Sequence, residues 1–130
     1  MKLEAKSQLA TLGKFMVDFN DVFPTLFLRF YKSEDFDYRN RLPHTTKLRE
    51  LTTLPISMEF NPEDTASEVL EKLQKALSLK NIEIVYYPKD ASSAFRLLES
   101  KKSITLDDIK SISSKEGWLT QKELKKHNLS

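Results

Sequence analysis

Two stretches of the chain, TLGKFMVDFNDVFPTLFLRFY (Thr11–Tyr31) and TASEVLEKLQKALSLKNIEIVYY (Thr65–Tyr87), carry one pattern twice, and this repeat limits the fold more than any other feature. Displaced by 54 positions, Phe15, Met16, Phe19, Val22 and Phe23 fall on Val69, Leu70, Leu73, Ala76 and Leu77. That spacing draws a single apolar stripe along an α-helix. Between them, Lys14, Asp18, Asn20 and Asp21 answer to Glu68, Lys72, Gln74 and Lys75, so the other face is solvated in both copies. Thr11 and Thr65 stand at the N-caps. Glu68, three residues after Thr65, completes a capping box, with Asn61–Pro62 as a competing start.

Each helix runs into a strand. Leu26, Leu28 and Phe30 alternate along TLFLRFYK, and Ile82, Ile84 and Tyr86 along NIEIVYY, now displaced by 56. Alternation rich in aromatic and β-branched residues predicts strands with one face on a core. Pro24 ends the first helix and Pro88 the second strand. A further strand, LPISMEF, puts Leu54, Ile56, Met58 and Phe60 on one face before the second helix. Before the first, KLEAKS offers only Leu3 and Ala5. The expected class is α+β, with two helix–strand repeats on a small mixed sheet. The order β-α-β-β-α-β favours a ferredoxin-like arrangement in which the strands after the two helices form opposite edges. One half with an exposed apolar face is not stable alone, so packing two together accounts for the duplication.

From ASSAFRLLESKK onward the character turns helical and polar. Phe95 and Leu98 read as docking a short helix, ITLDDIKSI starts on Thr105, Gly117 breaks the run, and Thr120 with Glu123 forms a second capping box. The expectation is a single domain over residues 1–130, with an α+β core over 1–90 and a helical C-terminal extension over 91–130.

The totals narrow the function classes. With 39% apolar and 31% charged residues the chain has enough apolar surface to fold. A net charge of +2 permits a nucleic-acid partner without demanding one. The chain has no Cys, which excludes disulfides, thiol nucleophiles and thiolate metal sites. Two glycines cannot write a phosphate loop or a dinucleotide fingerprint. No run approaches the ~20 apolar residues of a membrane span, and the N-terminus lacks a signal-peptide apolar region. The expectation is a soluble cytoplasmic protein with no membrane partner.

No catalytic, cofactor-binding or metal-ligating residues are assigned, and no cofactor is expected. His44 and His127 lack metal-ligand spacing, and His44 is the acid or base of an enzymatic reading that ranks last. The segment that stands out is SEDFDYRNRLPHTT (Ser33–Thr46), acidic in its first half and basic in its second. Aromatic and Arg residues together dominate binding hot spots. The leading reading is therefore a non-enzymatic module that binds a protein partner or self-associates through this loop or a sheet edge, using Phe36, Tyr38, Arg39, Arg41 and His44. The alternative is nucleic-acid binding through Arg29, Tyr31, Lys47, Arg49, Tyr87, Lys125 and Lys126, with tyrosines stacking bases from an open sheet face. The opposing possibility is that the C-terminal helices cover that face.

The pattern T-x-G-x-(F/L)-x-x-x-F-x-x-x-F followed by TLFLRFY resembles a family of small uncharacterised bacterial proteins. Thr11, Gly13, Phe15, Phe19, Phe23 and Leu26–Tyr31 match its first unit, Thr65–Tyr87 its second, and Thr105–Leu106 a late TL segment. The family pattern has a glycine between the second helix and its strand, where Ser78–Asn81 stand here. The resemblance implies a compact α+β fold and brings no activity with it.

Overall fold

The computed structural model describes residues 2–32, 38–89, 94–97 and 103–126. The first unit runs β1 (Lys2–Ala5), α1 (Leu12–Val22) and β2 (Phe27–Tyr31); the second runs β3 (Ile56–Glu59), α2 (Ala66–Leu77) and β4 (Asn81–Tyr86). After these come β5 (Phe95–Arg96), α3 (Leu106–Glu116) and α4 (Gln121–Lys126).

The α+β class holds, and both duplicated helices form on the expected stripes. Phe15 and Phe19 are fully buried, as are Val69, Leu73 and Leu77. Val22 departs from the pattern: α1 ends there and the side chain is 38% exposed. The N-caps also differ. The Thr65 hydroxyl accepts the Glu68 N–H while Glu68 reaches back, whereas Thr11 makes no side-chain cap and the Lys14 N–H donates to the Thr11 carbonyl oxygen instead (3.1 Å). At the end of α2, Ser78 takes the left-handed conformation (φ 54°) that glycine adopts most readily.

Strand pairing corrects the ferredoxin-like expectation. There β2 and β4 were to be opposite edges of one sheet; instead they pair directly with each other, antiparallel, while β1 and β3 make a separate two-stranded sheet. The register of β2 on β4 places Leu28 opposite Ile84, its own counterpart in the repeat. The two units thus meet equivalent strand to equivalent strand, which a pattern of alternating residues cannot specify. α1 packs on β1 and β2, and α2 on β3 and β4. One buried cluster runs through both units and takes in Leu106, Ile109 and Trp118 from the C-terminal part.

The repeat extends further than its helix and strand. Leu12 N–H donates to Thr46 C=O and Leu48 N–H to Ala10 C=O (both 2.9 Å); Ala66 N–H donates to Ile104 C=O (3.3 Å) and Leu106 N–H to Asp64 C=O (2.9 Å). In each unit a returning segment thus crosses the start of the helix and buries a leucine, Leu48 or Leu106, in the core. The C-terminal region departs from its all-helical reading, because residues 95–96 form β5 on the edge of β4 and Phe95 is 51% exposed. Leu98 lies outside the described residues.

Candidate functional site

β2 has two edges, one on β4 and one facing outward. Peptide groups alternate along a strand, so the register decides which groups face out. Phe30 C=O accepts Leu42 N–H (2.8 Å) and Lys32 N–H donates to Asn40 C=O (3.0 Å), which places the even-numbered residues of β2 on the outer edge. Leu28 therefore presents its N–H and C=O outward as well. Among the described residues no donor or acceptor meets them.

The reason is where the returning segment goes. Had it continued along β2, His44 would stand opposite Leu28. It turns away at Pro43, and His44 C=O instead accepts Gly13 N–H at the start of α1 (2.9 Å). Gly13 makes this approach feasible, since a Cβ there would lie 3.1 Å from that carbonyl oxygen. In the second unit the return strand stays on course: Leu97 N–H donates to Ile84 C=O (2.9 Å), closing the position equivalent to Leu28.

This part of β2 lies under a groove of about 1100 Å³. Leu28 and Phe30 are each only 1% exposed, backbone included, so they lie beneath the groove and not open to it. One wall is the flank of α1, with Met16, Val17 and Asn20; the Asn20 amide ties the wall to the strand by donating to Leu26 C=O (2.9 Å). The other wall is α4, with Gln121, Lys122 and Lys125. α4 is seated by a small apolar cluster of Tyr87, Leu119 and Leu124, with Phe27 edge-on to Tyr87 at 5.6 Å. The C-terminal part therefore does cover this side of the sheet, as the opposing reading allowed.

Electrostatically the groove is lopsided. Four cationic side chains line it, Arg29, Arg41, Lys122 and Lys125, against one carboxylate, Asp21. Among the described residues Arg41, Lys122 and Lys125 make no ion pair. Arg29 is anchored: it lies 4.0 Å from the buried Glu83 carboxylate and donates to the Tyr87 hydroxyl (3.3 Å). Glu83 also accepts a hydrogen bond from the Tyr31 hydroxyl. Burial, with that carboxylate beside it, pushes the Tyr31 hydroxyl up to about 12.

The groove thus gathers residues that sequence reading had divided between two functions: Arg41 and His44 from one, Arg29, Tyr87 and Lys125 from the other. Tyr31 and Tyr87 are buried, at 3% and 9% exposure, and present no open ring face. Arg39, Lys47, Arg49 and Lys126 do not line the groove. Residues 38–40 form a short 3-10 turn, but the Tyr38 side chain, like Phe36, lies outside what is described. Sequence reading missed Lys122, Val17, Glu83 and the edge at Leu28. A charge inside the NIEIVYY strand was the available signal for Glu83.

Among the described residues no cluster of His, Asp or Glu is arranged to hold a metal ion, and no helix is long and apolar enough to cross a membrane. Nothing hydrogen-bonds the His44 ring among those residues. Comparison with known proteins returned no matching family model, no matching curated protein and no matching solved structure.

Proposed function

We propose that this chain is a non-enzymatic interaction module that binds a protein partner at the groove along β2. The observation that carries the reading is the groove itself, walled by α1 and α4 and rimmed by Arg41, Lys122 and Lys125, which make no ion pair among the described residues. Grooves that combine apolar walls with exposed Arg and Lys offer the contacts by which protein partners are held. The reading favours a different protein over a second copy of this one, because a second copy would bring the same cationic rim against itself.

The test is selection of binders from a random linear-peptide library, followed by titration against two variants of equal charge change. Arg41→Glu/Lys122→Glu/Lys125→Glu reverses the rim, and Arg49→Glu/Lys110→Glu/Lys126→Glu reverses exposed cations that do not line the groove. Selected peptides should lose at least about tenfold in affinity on the first variant, which is ~1.4 kcal/mol, and keep it on the second. No selectable binder, or binders indifferent to both variants, would remove this reading.

A further inference from the structure

We infer that the groove takes an acidic amphipathic helix, with its apolar stripe toward α1 and its carboxylates toward α4. The inference rests on the binding reading above and names the partner's chemistry.

The strand beneath the groove decides how a partner's backbone can be held. On the outer edge of β2, Leu26 C=O is taken by the Asn20 amide (2.9 Å) and Phe30 C=O by Leu42 N–H (2.8 Å), while Leu28 is buried. No accessible group is left there for a partner's peptide bonds. An extended chain laid on this surface would exchange water for nothing at each inward N–H and C=O, which is costly. A helix closes its own hydrogen-bond ladder and docks by side chains alone.

The lining sets the pattern of those side chains. Tyr31 and Arg41 face each other across a bridge, and such partners project to one face of the sheet. Arg41 therefore lies on the side of Arg29, with Lys122 and Lys125 of α4. The α1 side is apolar instead: Met16 and the 59% exposed Val17 stand on the helix, and Leu42 pairs with the core-facing Phe30. Asp21, one turn beyond Val17, would repel an acidic flank on that side. A helix with apolar residues at i, i+3, i+4 and i+7 and Glu or Asp on the adjoining flank meets both sides at once. Its carboxylates supply the charge that four lining cations lack.

The probe is a sixteen-residue peptide, capped at both ends, with Leu at helical spacing, Glu along one flank and Ala elsewhere. Its length matters because helices shorter than ~12–15 residues are marginal in water. Three controls accompany it: the same residues scrambled, Pro at two central Ala positions, and every Glu replaced by Lys. Binding is read by titration, and helix gain by circular dichroism of the mixture against its separate components. The Glu peptide should gain helix on binding, and each control should bind at least about tenfold more weakly, ~1.4 kcal/mol. Its affinity should fall with added salt. Val17→Glu, at an exposed position on the apolar side, should weaken it as well. Arg41→Glu/Lys122→Glu/Lys125→Glu should reject the Glu peptide and accept the Lys peptide, a rescue that an unfolded variant would not give.

Equal binding of the Pro or scrambled peptide would overturn the helix. Equal affinity for the Glu and Lys peptides would overturn the acidic partner. Single-stranded RNA that displaces the Glu peptide and is lost on the reversed rim would transfer the site to nucleic acid and overturn the inference. Failure of the Glu peptide to bind at ~1 mM, in a protein that does take groove binders from the library, would overturn the helix and keep the binding reading. Absence of any binder in the library selection would strike that reading instead, so the two failures are separable.

Discussion

At β4 the return strand continues to Leu97 and pairs with Ile84, whereas at β2 it turns off at Pro43 and, among the described residues, leaves the outward N–H and C=O of Leu28 without a partner. The two edges are otherwise built alike: equivalent strands, equivalent helices behind them, and equivalent crossings at Thr11 and Thr65. What separates them is a proline at the point of departure and a glycine at the point of arrival. An unpaired edge thus arises here without new machinery, by withholding a strand that the fold would otherwise supply.

The comparison can first be broken at the core. Phe19 and its counterpart Leu73 are both fully buried. Phe19→Ala should cost about 3–5 kcal/mol and Leu73→Ala about 2–5 kcal/mol, each in a single unfolding transition, because one buried cluster spans both units. Two separate transitions in denaturant would show that the units are energetically independent. Phe23→Ala deletes the same side chain one turn further along. Phe23 sits at the end of α1, 6% exposed and tilted against Phe19 at 5.3 Å, so a smaller loss is expected there.

The next contrast lies across the sheet face. Tyr31→Phe removes the hydroxyl that serves the buried Glu83 and should cost about 1–3 kcal/mol. The double variant with Glu83→Gln should recover part of that loss, as a double-mutant cycle would read. The hydroxyl is raised in the folded state, so the folded protein holds this proton more tightly than the unfolded chain does. Its contribution is complete below pH 10 and is lost as pH rises toward about 12. A stability profile flat across that range in the wild type, or sloped equally in Tyr31→Phe, would contradict the pairing.

A smaller effect distinguishes the turns before the helices. Asp64 accepts Asn61 N–H and the Lys72 ammonium, both at 3.0 Å, where the first unit has only Ala10. The Asn61 N–H first, and Lys72 next, hold its carboxyl below the usual range. Its stabilisation is therefore present at neutral pH and fades as pH falls through that lowered value. Asp64→Asn should flatten this part of the acid profile, measured as midpoint against pH. The smallest contrast is between caps: Thr65→Ala should cost about 1 kcal/mol, and Thr11→Ala clearly less, since Thr11 makes no side-chain cap.

Much of the fold was legible because the stripe of Phe15, Phe19 and Phe23 and the alternation of Leu26, Leu28 and Phe30 are period signals. Strand β1 was barely written, with two apolar residues, and its partner fixes it. The return segments were harder still. Thr46–Leu48 and Ile104–Leu106 share only their leucines, at a displacement of 58, not 54, so insertions between them blur the echo. The groove was legible only in fragments. Arg41, His44 and Lys125 were picked out as basic or long-loop residues, but what joins them is a turn at Pro43 and the seating of Leu124, neither of which has a period. Pairing of β2 with β4 was out of reach, since alternation says which face is buried and not which neighbour lies alongside.

Leu28 faces Ile84 with no shift in register, which is how a chain of one unit would meet a second copy of itself about a twofold axis. The molecule is in effect a symmetric dimer written as one polypeptide, joined between the return turn at Leu48–Glu50 and β3. A true homodimer carries every substitution twice, so whatever opens one edge opens both. Covalent linkage lifts that restriction: one half can keep its edge sealed and supply the rigid frame, while the other is free to surrender a strand.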